Sequence, residues 1–359
     1  MTARVVIAAP TFNKAGYLEQ ALRSLLSQTF RDLRVIAVDD LSTDDSVAVA
    51  SRLAAQDARL EVHVNERRLG MLTNTNRALA LALERFPDAD YWALGSDHDL
   101  WHPRFVERLV ALLDAQPDAV LAYPLAERID EKGLTYPGAK QPQAWQTVGI
   151  VDPTARMEAA FRGMSAGNMV YGLFRANALN GRFYRPVLVP DRLLLSELAL
   201  RGTFAVAPEV LWQRRFRGLA ELDRQRRAFF LDDVPWYARL PWWMQHVGAL
   251  TWAYAVRGEG AKAGIGRLAG ASVGLRYLRL ALTLRFRRRR GRVRRRMRRW
   301  HPRRIGYRVA GRYGVAAGAH GRRILATLAR VPFARPLVER RLQPLFERMA
   351  ERLAGRGPT

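Results

Sequence analysis

The chain has 359 residues and a formal net charge of +26, from 59 Lys and Arg against 33 Asp and Glu. It contains no cysteine, which excludes disulfides and thiolate metal sites. No apolar run reaches the roughly 18–20 residues of a membrane-spanning helix, and the length allows one large core with an appended region.

The N-terminal half alternates strand-like and helix-like segments. Short apolar runs predict strands, and the segments between them carry leucine and alanine at helical spacing. After the second strand, residues 41–44 predict a helix start with Ser42 or Thr43 as the N-cap. This alternation predicts an α/β fold with a mostly parallel sheet flanked by helices. The predicted strands are residues 5–9, 33–38, 60–64, 91–94 and 119–123.

Polar side chains follow three of these strands, at the point where each strand ends. Parallel strands share a direction, so the clusters should meet at one edge of the sheet, where open α/β sheets bind ligands. Carboxylates suit Mg²⁺ or Mn²⁺, ions that complete their shell with substrate phosphates. The alternative is a polar loop that caps the next helix. The clusters are Thr11 and Asn13, Asp39 and Asp40, and the run Ser96-Asp97-His98-Asp99.

The loop after the first strand is not a glycine-rich phosphate loop. Neither Gly-x-Gly-x-x-Gly nor Gly-x-x-x-x-Gly-Lys occurs there, which disfavours a Rossmann dinucleotide site and a P-loop. A nucleotidyltransferase would need a glycine-rich loop with Arg and Lys at the same place. The loop instead reads Pro10-Thr11-Phe12-Asn13.

Several motifs together resemble those of family-2 glycosyltransferases with the GT-A fold. The resemblance covers roughly residues 1–220 and implies an inverting transferase that uses a nucleotide-sugar donor. Its most specific part is the Asp-Asp-x-Ser-Thr-Asp run that follows so soon after Pro-x-Phe-Asn. The motifs are residues 9–14, 27–30, 38–44, Gly70 with Asn76, residues 96–99 and residues 190–192.

The resemblance implies roles for individual donor-side residues. The base pocket would be lined by Pro10, Thr11 and Phe12, and Asp40 would hydrogen-bond the base. Asp97 would hold the ribose and, with Asp99, a Mn²⁺ or Mg²⁺ ion. His98 interrupts the adjacent acidic pair of many relatives, and it is a metal ligand, a phosphate contact or a spacer. The remaining predicted nucleotide-sugar contacts are Asn13, Asn76, Arg214 and Arg215.

Transfer of a sugar also requires a base for the acceptor hydroxyl. Asp191 matches the family position, although Pro190 replaces the first acid of the usual pair. The alternative role for Asp191 is stabilisation of a helix N-terminus through the macrodipole. Residues 167–175 resemble the family's strand beneath the acceptor pocket. A strand is predicted over residues 205–211. Residues 212–217, with Arg214 and Arg215, follow it and resemble a basic segment over the donor diphosphate, or else carry solvated surface arginines.

The positive charge is concentrated near the C-terminus. Residues 257–359 hold 29 basic and 4 acidic residues, a net +25 of the total +26. Three interpretations are open: a nucleic-acid arm, a solvated helix, or a helix on an anionic membrane. Clustered aromatics at residues 241–244 and 252–254, and leucines interleaved with arginines at 267–285, favour the membrane. The interleaved pattern predicts an interfacial helix, although the last four leucines alternate and leave a strand possible. A second basic helix is predicted over residues 324–349.

These patterns predict a catalytic domain at residues 1–232, with a donor half at 1–125 and an acceptor half at 126–232. A membrane-apposed basic tail would follow at 233–359. The protein would act in the cytoplasm, peripherally on the inner face of the membrane, on a cell-surface glycan or lipid-linked acceptor. The alternative is a catalytically degenerate nucleotide-sugar-binding protein whose tail binds membrane or nucleic acid. Such a protein should lack a base facing the donor.

Overall fold

The structure is a computed structural model that describes residues 3–136, 145–164, 167–179, 183–215, 222–261 and 264–299, with side chains up to residue 284. Within these residues, one mixed sheet of eight strands forms the centre, in the order β3-β2-β1-β4-β7-β6-β8-β5. The strands are β1 (Val5–Thr11), β2 (Leu33–Asp39), β3 (Leu60–Val64), β4 (Tyr91–Leu94), β5 (Leu100–Trp101), β6 (Ala119–Ile129), β7 (Leu173–Arg175) and β8 (Thr203–Arg215).

Helices cover the sheet with apolar stripes. In α1, for example, residues at helical spacing are fully or almost fully buried: Leu18, Ala21, Leu22, Leu25 and Leu26. The helices are α1 (Ala15–Leu26), α2 (Ser46–Ala54), α3 (Met71–Arg85), α4 (Phe105–Ala115), α5 (Pro153–Gly163), α6 (Pro190–Arg201), α7 (Leu222–Phe230), α8 (Trp242–Thr251) and α9 (Arg267–Arg299).

The order of the parallel strands creates a switch point beside β1. The chain runs from β1 outward to β2 and β3, and then returns to place β4 on the other side of β1. Loops after β1 and β4 therefore leave the sheet in opposite directions around one crevice, the usual ligand position in such sheets. The predicted parallel α/β core is confirmed, and the antiparallel strands β7 and β5 make the complete sheet mixed.

Three local predictions were wrong. Helix α2 begins at Ser46 and not near Ser42. The backbone N–H and the hydroxyl of Ser42 both donate to the Asp39 carboxylate, which holds Ser42 in a turn. Residues 167–175 are mainly a 3-10 turn (Asn168–Tyr171), and only the last three form β7. Residues 212–215 do not follow a strand, since they are the end of the long strand β8.

The chain divides into two compact units, residues 1–282 and 283–359. The first unit therefore extends beyond the boundary predicted at residue 232. Helix α9 explains this, because Val273, Tyr277 and Leu280 are buried on one face of it. Gly270 and Gly274 allow this close packing, since an added Cβ would meet the Tyr254 backbone and the Thr251 side chain. The helix predicted over residues 324–349 lies outside the described residues.

The alternating leucines belong to the helix α9, so the strand that their spacing left possible does not form. Only part of its apolar set faces outward: Leu268 and Leu275 are 93% and 68% exposed. Among the described helices, none combines the length and apolar character needed to cross a bilayer.

Candidate active site

The loops after β1, β2 and β4 meet at the switch point, as the polar clusters predicted. The Phe12 backbone N–H donates to Asp97 Oδ2 at 3.2 Å. The Asp40 N–H donates to the Thr11 carbonyl at 2.9 Å. Asn13, which has a left-handed φ of 48°, donates its N–H to Ser42 Oγ at 2.8 Å. Short contacts between distant segments thus fix the floor of the crevice.

The predicted base pocket contains an additional arginine that the motifs did not indicate. The Arg68 guanidinium lies 3.6 Å from the centre of the Phe12 ring. Pro10 pairs with Val38 in the sheet, so it belongs to the rigid end of β1. A cation over an aromatic ring holds both groups in place. Together they form one wall of the crevice beside the β1 loop.

Asp40 is buried and already receives three hydrogen bonds. Leu69 and Gly70 donate their backbone N–H groups at 2.7 and 2.9 Å, and Asn65 Nδ2 donates at 3.0 Å. Gly70 begins α3 with a φ of +80°, a conformation that favours glycine. Asp40 therefore anchors the loop that leads into α3. Its predicted contact with a nucleotide base stays a prediction.

The Asp97-His98-Asp99 run is held as a compact cluster. His98 Nδ1 lies 2.6 Å from Asp97 Oδ1, and His98 Nε2 lies 3.7 Å from Asp99 Oδ1. The Arg215 backbone N–H donates to Asp99 Oδ1 at 2.8 Å. Burial raises the pKa of Asp99, while the charge of His98 and the Arg215 N–H act in the opposite direction.

This cluster has ligand types that fit a divalent cation held mainly by phosphates. In the described parts of the chain, no three His, Cys, Asp or Glu side chains converge on a common metal position. Mg²⁺ is commonly held by one or two carboxylates with substrate phosphates completing the shell, and Mn²⁺ accepts the same ligands. Two carboxylates fit this arrangement. Asp97 is partly exposed, and Asp99 is a buried carboxylate that a cation would stabilise.

The two arginines at the end of β8 occupy different environments. The Arg215 side chain is 2% exposed; it packs over Tyr17 and donates to the carbonyls of His98, Asp130 and Glu131. Arg215 thus stabilises the backbone of the acidic cluster at His98. Arg214 donates to Asn168 Oδ1 at 2.8 Å, and its charge acts on both Asp99 and Asp191. The predicted contact of either arginine with a nucleotide sugar stays a prediction.

Asp191 lies in the first turn of α6, and its carboxylate is contacted by two other segments. The Tyr184 hydroxyl donates to Asp191 Oδ1 at 2.6 Å. On the other side is Gly167, where an added Cβ would lie only 2.5 Å from Oδ2. Burial raises the pKa of Asp191, and the Tyr184 hydroxyl together with the charges of Arg214 and Arg192 lowers it in part.

Tyr171 is under the influence of both the acidic cluster and Asp191, and the resemblance of residues 167–175 did not single it out. Its ring stacks on Trp212 with a centroid separation of 4.7 Å. Burial raises the pKa of its hydroxyl, and the charges of Asp99, Asp191 and Asp97 raise it further. The charges of both groups of carboxylates therefore act on this one tyrosine. A tyrosine in a 3-10 turn has no distinctive local signal, so only the fold reveals this position.

Asn76 was predicted to contact the nucleotide sugar, which stays a prediction, and in the structure its side chain contacts a backbone segment. Its Oδ1 accepts the N–H groups of Phe183 and Tyr184 at 3.0 and 2.8 Å. Its Nδ2 donates to the Tyr184 carbonyl at 2.8 Å. The amide thus joins α3 to the segment that carries Tyr184.

Comparison with known proteins identifies the class to which this site belongs. Residues 6–171 match the family described as "Glycosyl transferase family 2". This part of the chain is therefore a family-2 glycosyltransferase domain, and by family a transferase, with the mixed helix-flanked sheet of the GT-A fold.

Curated relatives include a Campylobacter jejuni protein named GalNAc(5)-diNAcBac-PP-undecaprenol beta-1,3-glucosyltransferase, 34% identical over 84 residues. That alignment covers 23% of this chain and 27% of the relative. An uncharacterized glycosyltransferase of Haemophilus influenzae is 22% identical over 218 residues, covering 60% of this chain and 65% of the relative. The chain thus spans less than two thirds of either relative.

Solved structures with a similar shape include S. aureus TarS 1-349 in complex with UDP-GlcNAc. It has a TM-score of 0.47 and 16% identity, covering 72% of this chain and 75% of that one. The mannosyltransferase PcManGT from Pyrobaculum calidifontis, in complex with GDP-Man and Mn²⁺, has a TM-score of 0.44 and 16% identity. It covers 79% of this chain and 87% of that one.

Proposed function

We propose that the protein is an inverting, metal-dependent glycosyltransferase. It moves a sugar from a nucleoside diphosphate donor to a hydroxyl of a glycan or lipid-linked acceptor. The observation that carries the proposal is a short series of contacts between Asp191 and Asp99. Gly167 lies against the Asp191 carboxylate, the adjacent Asn168 accepts a hydrogen bond from Arg214, and the adjacent Arg215 N–H donates to Asp99. The candidate metal ligands and the candidate base thus lie at one crevice. A degenerate protein that only binds nucleotide sugars would not need a base there.

The roles follow from the chemistry of sugar transfer. A divalent ion, when bound, neutralises the charge that develops on the leaving diphosphate. Asp97 and Asp99 hold it, and Arg214 adds a fixed positive charge nearby. Asp191 removes the proton of the acceptor hydroxyl as that oxygen attacks the sugar carbon from the face opposite the leaving group. One base on one face inverts the configuration at that carbon.

The acceptor class rests on the C. jejuni relative, whose name specifies an undecaprenol-linked acceptor. A lipid-linked acceptor requires the enzyme to work at a membrane, and one surface of the first unit suits this. Met244, Trp252 and Val256 are 41%, 58% and 50% exposed. They are spaced by four or eight residues along α8 and the π turn Trp252–Val256, and Gly248 between them faces open space. We call Met244, Trp252 and Val256 the α8 stripe.

We expect donors to stabilise the protein in a screen of UDP- and GDP-sugars with Mn²⁺. A ligand at 100 times its Kd adds about 2.7 kcal/mol to the free energy of unfolding, which thermal unfolding detects readily. The stabilising sugar should also be hydrolysed slowly without an acceptor, and free sugars serve as controls. If no nucleotide sugar stabilises the protein or is hydrolysed, the proposed function is wrong.

We expect the full chain to bind phosphatidylglycerol-containing vesicles, and to release them as salt rises, because each basic residue near an anionic surface contributes about 1 kcal/mol. The double variant Met244→Ser with Trp252→Ser should weaken this binding, measured by co-sedimentation. Trp236→Ser is the matched control, since Trp236 is exposed but outside the α8 stripe.

Two outcomes would contradict the membrane assignment. Equal binding to neutral phosphatidylcholine vesicles would remove the electrostatic explanation. Tight, salt-sensitive binding to DNA without vesicle binding would instead support the nucleic-acid interpretation of the basic region.

A further inference from the structure

The segment before α6 is attached at both ends to other helices. At its start, Asn76 of α3 makes three hydrogen bonds to the backbone of Phe183 and Tyr184. At its end, the Leu188 N–H donates to Gln245 Oε1 of α8 at 2.9 Å. The segment from Phe183 to Val189, here called the base loop, is therefore fixed immediately before Asp191.

A second layer of contacts supports the end of the base loop. His246 of α8 lies with Nε2 2.7 Å from the Leu188 carbonyl and Nδ1 2.5 Å from the Tyr277 hydroxyl of α9. Val189 then takes a left-handed φ of 54° to start α6. A non-glycine residue in this conformation persists only where the surroundings enforce it. The helices beyond residue 232 thus help to set the direction of α6 and of Asp191.

The contacts of Asp191 itself are asymmetric. One oxygen accepts the Tyr184 hydroxyl proton, and the other lies beside Gly167. The charged and titratable groups that face this carboxyl are Tyr184 on the base loop, Arg214 on β8, Arg192 on α6 and Tyr171 on the 3-10 turn. Of these, Tyr184 donates a hydrogen bond to the carboxylate at 2.6 Å.

We propose that Tyr184 is a positioning residue for the base, and that Asn76 acts by holding Tyr184 and not by contacting the nucleotide. This inference rests on the proposed function, because it assigns a purpose to Asp191. The Tyr184 hydroxyl fixes one carboxylate oxygen and leaves the other for the acceptor proton. It also favours the ionised carboxylate, which is the form that can act as a base.

The decisive variant is Tyr184→Phe, which removes one oxygen atom and keeps the ring. Turnover in donor hydrolysis near pH 7 should fall about tenfold, the scale expected when a reacting group loses its orientation. The KM for the UDP- or GDP-sugar should stay unchanged. The acidic limb of the pH–rate profile should move to higher pH, because the pKa of Asp191 rises when the Tyr184 hydroxyl no longer donates a hydrogen bond to it. Activity should therefore recover in part at alkaline pH.

A double-mutant cycle separates positioning from a general structural role. In the Asp191→Asn background, Tyr184→Phe should have no further effect on turnover, since the group through which it acts is gone. A second tenfold loss in that background, or an unmoved pH profile in the single variant, would overturn the inference. If Asp191→Asn alone leaves turnover intact, the base assignment within the proposed function fails instead, so the two failures are distinguishable.

Asn76 provides an independent test with a binding readout. Asn76→Ala should lower turnover while the Kd of UDP or GDP with Mn²⁺, measured by calorimetry, stays within about twofold of the wild type. Asn76→Asp keeps an acceptor for the Phe183 and Tyr184 N–H groups and should recover part of the turnover. A tenfold weaker nucleotide Kd in Asn76→Ala with unchanged turnover would make Asn76 a nucleotide contact and contradict the inference.

Discussion

Asp99→Asn is expected to lower donor hydrolysis and sugar transfer by roughly 100-fold or more, the scale seen when preorganised electrostatic stabilisation of a transition state is removed. The variant keeps the shape of the side chain and an acceptor for the Arg215 N–H, which lies at 2.8 Å in the structure. It removes the negative charge that would hold a divalent ion against the diphosphate. The measurement is turnover at saturating donor as Mn²⁺ is titrated.

The control for this prediction is Asp88→Asn. Asp88 is an exposed carboxylate in the turn before β4, at the opposite end of the strand from Asp99. It should leave both turnover and the Mn²⁺ response unchanged. Full activity in Asp99→Asn, or wild-type activity that persists in EDTA, would contradict the metal assignment. Equal melting temperatures of the two variants would show that a loss of activity is not a loss of fold.

The parallel core and the convergence at the switch point could be predicted because their signals are local. Apolar runs mark the strands, and polar residues directly after them share one sheet edge by topology alone. The Phe12–Asp97 contact in the structure is the direct consequence. Residue types at strand ends thus carry enough information to locate the crevice, although not the partners of each side chain.

The contacts of Asn76 and Tyr184 could not be predicted, because they join distant segments. Asn76 meets the Tyr184 backbone across 108 residues of sequence. No sequence pattern indicates which residue either of them contacts. The same limit applies to the packing of α9, since the contact between Tyr277 and His246 brings α9 onto α8 across 31 residues. Interleaved arginines and leucines alone did not reveal this buried helix face.

Asp191→Asn should lower turnover by roughly 100-fold or more, the usual scale for loss of a general base, while donor binding stays intact. Burial raises the pKa of Asp191 above the ordinary aspartate value. A base must be ionised to act, so wild-type activity should fall as the pH drops through this raised pKa, at higher pH than for an exposed aspartate. The Asn variant should lose this acidic limb together with its activity.

The control tests whether Asp191 serves only the helix dipole. Asp223 is also an acidic residue in a first turn, that of α7, and its side chain is 74% exposed. Asp223→Asn removes the same charge from a helix N-terminus, a change of about 0.3–1 kcal/mol in stability. It should leave turnover unchanged. If Asp191→Asn behaves like Asp223→Asn, with slightly lower stability and full activity, Asp191 is a helix-stabilising residue and another group must be the base.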